Sequence, residues 1–211
     1  MQIVDRLKKV QLELTNYGCS PDIMLVSKTQ IAETVEHFLI NGHKLFGENR
    51  VQEAAAKWPE LLVKYRDCQL HLIGPLQTNK AKQALQLFHV IQSLDRPKLA
   101  EKLSDLEKSL PKRQYYIQVN IGEEPQKSGV MPHNLNEFNN YCVELGLNVT
   151  GLMCIPPMGQ NPEPYFKKAR MLNDALKLDN LSMGMSADYL IAASQGATMV
   201  RLGSIIFGDR K

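Results

Sequence analysis

The stretch that decides the fold is Ile23-Met24-Leu25-Val26-Ser27-Lys28-Thr29, in which four apolar residues run directly into a polar turn. A short apolar run bounded by turn residues predicts a strand that is buried on both faces. Lys28 lies where this strand leaves the core, so its amine would be partly desolvated and able to form a Schiff base with a carbonyl compound. The alternative is that Lys28 is an ordinary solvated loop lysine, and the other strand ends are needed to decide between the two.

Similar apolar stretches recur along the whole chain. The predicted strands comprise residues 23–26, 44–47, 70–74, 90–94, 115–121, 149–155, 181–186 and 199–203. Apolar residues at helical spacing separate these strands, and a further helix over residues 3–17 precedes the first one. Strands that alternate with helices predict a parallel sheet, and eight of them predict a single closed (β/α)8 barrel of the TIM type with an extra N-terminal helix.

The length of 211 residues agrees with a minimal barrel, for which about 200 residues is the lower end. The helix after the eighth strand is expected to be missing or very short, and the N-terminal helix would cover the gap. An open doubly wound sheet is the alternative, but no G-x-G-x-x-G follows the first strand. No linker or repeat divides the chain, so we expect one domain over residues 1–211.

Composition and charge exclude several classes of function. The net charge of +3 is small and evenly spread, which argues against a nucleic-acid-binding protein. The N-terminus lacks the apolar segment of a signal peptide, and no apolar run is long enough to cross a bilayer. Four cysteines without paired spacing indicate free thiols, and no histidine cluster accompanies them, so we expect a cytoplasmic protein without a metal site.

The active face of a (β/α)8 barrel is formed by the C-terminal ends of its strands. After the seventh predicted strand, the segment from Ser182 to Ser186 offers two hydroxyl groups, and Gly203-Ser204 offers an open backbone and a hydroxyl after the eighth. Loops at these two positions are the usual phosphate site of the fold, where backbone N–H groups at a helix start contact the anion. The alternative is that these small residues only form tight turns.

Arg201 is unusual because it lies inside an apolar strand, between Val200 and Leu202. A buried arginine needs a partner, which could be a structural ion pair with Asp188 or, alternatively, an aromatic nitrogen or an anion. Strands one and eight are neighbours in a closed barrel, so Lys28, Arg201 and the predicted phosphate loops would share one pocket. That pocket fits an aromatic aldehyde that carries a phosphate, which describes pyridoxal 5'-phosphate (PLP).

Several motifs in order resemble those of the pyridoxal phosphate homeostasis protein family, whose members are similar to the barrel of alanine racemase standing alone. The resemblance covers nearly the whole chain. It rests on the sequences VSKT at 26–29, FGENRVQE at 46–53, HLIGPLQTNK at 71–80, KSG at 127–129, GLM at 151–153, LSMGMSAD at 181–188 and VRLGSIIFG at 200–208.

The resemblance implies a cytosolic protein that holds PLP as a Schiff base on Lys28, with Asn49 beside the cofactor. It further implies that the phosphate is held by Ser182, Ser186, Gly203 and Ser204. Arg201 would face the pyridine nitrogen and disfavour its protonation, which weakens the ring as an electron sink. The family has no established catalytic activity, and its implied role is to buffer PLP and pass it to apoenzymes, with effects on amino-acid and keto-acid balance.

Catalysis is the main alternative to this non-enzymatic role. A racemase of this type needs a second acid/base, a tyrosine from a further domain, and this chain stops just past strand eight with its own tyrosines mostly away from the active face. A weak PLP-dependent racemase or lyase remains the alternative, and a sugar-phosphate aldolase using Lys28 is a third hypothesis. Lys80 and Lys127 are competing lysines in polar loops. We expect a monomer with at most transient apoenzyme contacts.

Overall fold

All eight predicted strands are present in the computed structural model, which describes residues 3–208. They form a closed barrel in sequence order, and every neighbouring pair is parallel. The strands are β1 Asp22–Val26, β2 Leu45–Glu48, β3 Gln69–Leu72, β4 Val90–Leu94, β5 Gln114–Val119, β6 Asn148–Cys154, β7 Asn180–Ser182 and β8 Met199–Leu202. The prediction of a single (β/α)8 barrel is confirmed.

Helices surround the barrel and connect successive strands. They are α1 Ile3–Asn16, α2 Ala32–Ile40, α3 Val51–Lys64, α4 Ala81–Leu87, α5 Pro97–Glu107, α6 Leu135–Glu144, α7 Glu163–Ala175, α8 Tyr189–Ser194 and α9 Ser204–Phe207. Each long helix buries an apolar stripe, as in α3, where Ala54, Trp58 and Leu61 face inward. The predicted single domain over residues 1–211 extends beyond the described residues and stays a prediction.

The N-terminal helix closes the barrel where the last helix is short, as predicted. α9 has only four residues, and α1 packs beside it with Leu7, Val10 and Leu14 buried. The Arg6 guanidinium donates a hydrogen bond of 3.1 Å to the Ile206 carbonyl and so joins the two helices. α1 therefore covers apolar surface that a full-length eighth helix covers in a larger barrel.

Strand register determines which loops meet at the C-terminal end of the barrel. Met24 on β1 lies opposite Arg201 on β8, and Leu25 lies opposite Phe46 on β2. Lys28 comes three residues after Leu25, and Asn49 comes three residues after Phe46. The two residues therefore lie at the same level, just after the ends of the neighbouring strands β1 and β2.

A small polar group lies among the buried strands. His71 is 4% exposed, and its Nδ1 lies 2.9 Å from the Gln92 amide nitrogen, which donates to it when the ring is neutral. The rings of His71 and Tyr116 form a T-shaped pair with centroids 6.4 Å apart. Burial lowers the pKa of His71 to about 3, because charging the ring here would forfeit its hydration. A buried neutral ring bonded to Gln92 gives His71 a structural role.

His71 should make the protein less stable in weak acid. An unfolded histidine titrates near pH 6.5, so between that pH and about pH 3 the unfolded state binds the extra proton and stability falls as pH falls. From about pH 7 to about pH 5 the wild type should therefore lose about 2 kcal/mol more unfolding free energy than His71→Gln. Urea unfolding at both pH values measures this, with exposed His37→Gln as the control. Equal losses in wild type and His71→Gln would contradict it.

Three further sequence predictions concern the cysteines, membrane spans and metal sites. Cys19, Cys68, Cys142 and Cys154 are all free thiols, as expected. Within residues 3–208, no helix is both long and apolar enough to cross a membrane, and no group of three or more His, Cys, Asp or Glu side chains is placed to hold a metal ion.

Candidate functional site

A cavity of about 580 Å³ opens at the C-terminal ends of β1, β2 and β8, and we call it the strand-end cavity. Six of the seven predicted site residues line it, namely Lys28, Asn49, Ser186, Arg201, Gly203 and Ser204. Apolar contact comes from Val26, Ile73, Ile155 and Phe207. The structure therefore brings together, in one place, residues that lie more than 170 positions apart in the sequence.

The backbone on both sides of Lys28 is held by hydrogen bonds from a buried lysine, Lys57. The Lys57 ammonium donates to the carbonyl oxygens of Ser27, at 2.7 Å, and Gln30, at 3.0 Å. The backbone N–H of Thr29 donates to the Glu53 carboxylate, and Thr29 adopts a φ of 65°, which is rare for a non-glycine residue. These contacts fix the backbone on both sides of half-buried Lys28.

The cation that holds this segment is itself paired inside the protein. Lys57 Nζ lies 2.7 Å from Glu48 Oε1, and the two side chains are 7% and 0% exposed. The same oxygen accepts hydrogen bonds from Ser27 Oγ at 2.7 Å and from Trp58 Nε1 at 2.9 Å. Three donors hold Glu48 Oε1 in position, whereas the buried Oε2 has no hydrogen-bond partner among the described residues. Through Oε1, Glu48 and Lys57 form a rigid base under the Lys28 segment.

Asn49 owes its position to a close approach between two chain segments. A Cβ at Gly74, just after β3, would lie 2.1 Å from the Asn49 carbonyl oxygen, so only glycine fits there. The Asn49 side-chain Oδ1 is buried and has no hydrogen-bond partner in the described part of the chain. An unsatisfied buried oxygen in the wall of a cavity indicates a ligand that donates a hydrogen bond to it.

Arg201 is 3% exposed and is held by two neutral partners. Its Nη1 donates to Ser182 Oγ at 2.8 Å, and its Nη2 donates to the Cys154 carbonyl at 2.9 Å. The alternative ion pair between Arg201 and Asp188 does not form among the described residues, and the Asp188 carboxylate accepts the backbone N–H of Met185 at 2.6 Å. Burial lowers the pKa of Arg201, although an arginine remains charged at neutral pH.

Ser182 differs from the other predicted residues because it does not line the cavity. It is fully buried in β7, and its hydroxyl accepts the hydrogen bond of Arg201. The predicted contact between Ser182 and a phosphate therefore has no support in this geometry. Its position instead suits a residue that orients the Arg201 guanidinium.

Ser186 connects the loops that follow β7 and β8. Its Oγ lies 3.3 Å from the backbone nitrogens of both Gly203 and Ile205, from which it accepts hydrogen bonds. The chain reaches this position through Gly184, whose φ of 87° suits glycine and whose missing Cβ leaves room for Ala192. Exposed Ser204 begins α9 at the rim, so two hydroxyl groups and a glycine backbone face the cavity together.

Sequence reasoning did not find the base formed by Glu48 and Lys57. The Trp58 ring packs in the core, and its Nε1 donates the hydrogen bond that helps to hold Glu48. One signal was available. Lys57 follows Glu53 by four positions on a helix face shared with apolar residues, where an unpaired charge would be costly.

Comparison with known proteins agrees with the geometry. The family described as "Alanine racemase, N-terminal domain" matches residues 3–211. A pyridoxal phosphate homeostasis protein of Aquifex aeolicus (strain VF5) is 44% identical over 230 residues, covering all of both chains. The Escherichia coli (strain K12) protein of the same name is 36% identical, covering 96% of this chain and 92% of its own.

The chain belongs to the pyridoxal phosphate homeostasis protein family. Among solved structures, PipY of Synechococcus elongatus PCC7942 with PLP bound is 34% identical with a TM-score of 0.88, covering 98% of this chain and all of that one. An alanine racemase of Clostridium difficile 630 matches at 15% identity with a TM-score of 0.73, covering 99% of this chain and 57% of its own, which shows a shared fold. The family resemblance predicted from the motifs is confirmed.

Proposed function

We propose that this protein binds PLP as a Schiff base on Lys28 and carries it to enzymes that need it, without catalysing a reaction itself. The observation that carries the proposal is the strand-end cavity, where Lys28, Asn49, Arg201 and the Ser186 and Ser204 loops converge. The curated relatives are named pyridoxal phosphate homeostasis proteins, and PipY was solved with PLP bound. Lys28 would supply the amine, and the other residues would bind ring and phosphate.

The residues present fit this cofactor. The orphaned Asn49 Oδ1 suits a hydrogen-bond donor on the ligand, and Ser186 and Ser204 supply hydroxyl groups for a phosphate, with the Gly203 backbone beside them. When bound to an enzyme, PLP supplies an aldehyde and a ring that withdraws electrons from an attached substrate. Rigid backbone on both sides of Lys28 would keep its amine aimed into the cavity.

Arg201 is the residue that argues against catalysis by the ring. A guanidinium has donors only, so it can donate to a pyridine nitrogen but cannot accept a proton from it. Ser182 and Cys154 hold the Arg201 guanidinium in place. Facing the pyridine nitrogen of PLP, this guanidinium would favour the unprotonated form of that nitrogen. An unprotonated ring withdraws electrons less strongly from an attached substrate. Ser182 therefore has a proposed role as a positioning residue, in place of the phosphate contact first predicted.

The composition of the cavity wall also supports a carrier. Among the described residues that line the strand-end cavity, none is Tyr, His, Cys, Asp or Glu. A racemase needs a second acid/base across the substrate from its lysine. The proposal also includes a cytoplasmic location and a monomeric state. The protein would contact apoenzymes transiently and would bind neither nucleic acid nor membranes.

Two measurements on PLP-loaded protein test the proposal. Amino acids incubated with it in deuterium oxide should show no more Cα exchange by NMR than with Lys28→Ala. The loaded protein should also reactivate a PLP-requiring apoenzyme in the presence of a phosphatase that destroys free PLP, because direct transfer avoids the solvent. Exchange that depends on Lys28 would favour the racemase or lyase, and loss of all reactivation when phosphatase is present would contradict direct delivery.

A further inference from the structure

A second cavity lies beside the first at the C-terminal end of the barrel, and we call it the side cavity. It measures about 760 Å³ and shares Asn49 with the strand-end cavity. Its wall comes from the segments that follow β2, β3 and β4, together with Ser128. None of the residues of the strand-end cavity other than Asn49 lines it, so the proposed PLP site does not account for it.

Positive charge dominates the side cavity. Arg50, Lys80 and Arg96 line it, against a single carboxylate from Asp95. Arg96 already pairs with Asp95 and also donates to the Leu76 carbonyl at 2.8 Å. Burial raises the pKa of Asp95 despite its partner, so the one acidic group of the wall holds its negative charge less firmly than an exposed aspartate. Arg50 and Lys80 remain to attract an anion.

A helix start adds to this charge. α3, which has 14 residues, begins at Val51 in the cavity wall, and no side chain caps its start at Arg50. The start of a long helix carries partial positive charge and presents backbone N–H groups that bind anions. The start of α3 and the side chains of Arg50 and Lys80 therefore line one space, with Arg96 paired to Asp95 in the same wall.

We propose that the side cavity is a second anion-binding site, which takes a small multiply charged organic anion next to the proposed cofactor site. The ligand chemistry is a phosphate or a cluster of carboxylates, since both match arginine, lysine and helix N–H groups. Asn49 lies in the wall of both cavities, so a ligand bound in one cavity would change the affinity of the other for its ligand. This site goes beyond the proposed function and does not require it.

Titration of the full-length protein with inorganic phosphate, and separately with citrate, tests the site. The backbone amide NMR signals of Val51 and Gln52 report it, because they belong to the start of α3 in the cavity wall. At least one anion should shift both signals with saturation. Saturation by phosphate alone assigns a phosphate-bearing ligand, and saturation by citrate alone assigns a polycarboxylate.

A matched pair of variants makes the test specific. Lys80→Gln should weaken the saturating anion about tenfold, because a charged hydrogen bond is lost. Lys82→Gln, which removes the same charge from an exposed position two residues away, should leave affinity unchanged. Absence of a saturable shift with either anion, or equal affinity in Lys80→Gln and wild type, would overturn the proposal. The titration also works in PLP-free Lys28→Ala, so failure of the PLP proposal would be seen separately.

Discussion

Replacing Lys57 by methionine is expected to lower the free energy of unfolding by about 3–5 kcal/mol, because it leaves the fully buried Glu48 carboxylate without its cation. The same change releases the carbonyl oxygens of Ser27 and Gln30. Chemical denaturation followed by circular dichroism measures the loss. Of the described ion pairs, this one has the most deeply buried partners, so its loss should have the largest effect.

Lys64→Met is the matched control for this prediction. Lys64 lies on the same helix and also pairs with a glutamate, Glu36, but its side chain is 63% exposed. Water screens such a pair, so its removal should change stability far less. If Lys57→Met were as stable as Lys64→Met, the Glu48–Lys57 pair could not be the rigid base described above. Double replacement of Glu48 by Gln and Lys57 by Met should recover part of the loss, because no buried charge then remains.

Replacing Lys28 by alanine is expected to weaken PLP binding at least about a hundredfold, which corresponds to about 3 kcal/mol. The reason is that the proposed covalent linkage is lost while the contacts of Asn49, Arg201 and the phosphate loops remain. Equilibrium dialysis against PLP measures the affinity of wild type and variant. Circular dichroism of the variant should show a retained fold, which separates lost binding from unfolding.

Lys127→Ala is the control for the lysine assignment. Lys127 was a competing lysine in the sequence, but it pairs with Glu124 and does not line the strand-end cavity. Its replacement should leave PLP affinity within about twofold of the wild type. The exposed ion pair that it removes contributes little to the stability of the fold and is not part of the proposed PLP site. Undiminished affinity in Lys28→Ala, or a loss in Lys127→Ala as large as that expected for Lys28, would contradict the assignment.

The sequence was sufficient to predict the barrel because buried parallel strands are continuous apolar runs, and eight such runs alternate with helical stripes. Lys28 and Arg201 were predicted correctly as neighbours for a topological reason, since closure places β1 beside β8. The apolar neighbours of Arg201 also revealed its burial. These features depend on local pattern and on strand order alone.

Ser182 and Ser186 show where local pattern is insufficient. Both hydroxyls were expected at the phosphate, but β7 ends at Ser182, and the chain then turns through Gly184, whose carbonyl accepts the N–H of Arg201 at 2.9 Å. That turn sends Ser186 to the rim while Ser182 stays beneath Arg201. A side chain's direction after a strand depends on such backbone geometry, which apolar spacing does not report.

Borohydride reduction of PLP-loaded protein, followed by mass mapping of its peptides, tests the central claim most directly. Reduction converts a Schiff base between lysine and PLP into a stable bond, so the label stays on the residue that formed it. The account predicts loss of the visible absorption band and a single phosphopyridoxyl label on Lys28. A label on Lys80 or Lys127 with Lys28 unmodified, or a protein that stays colourless when given PLP, would contradict it.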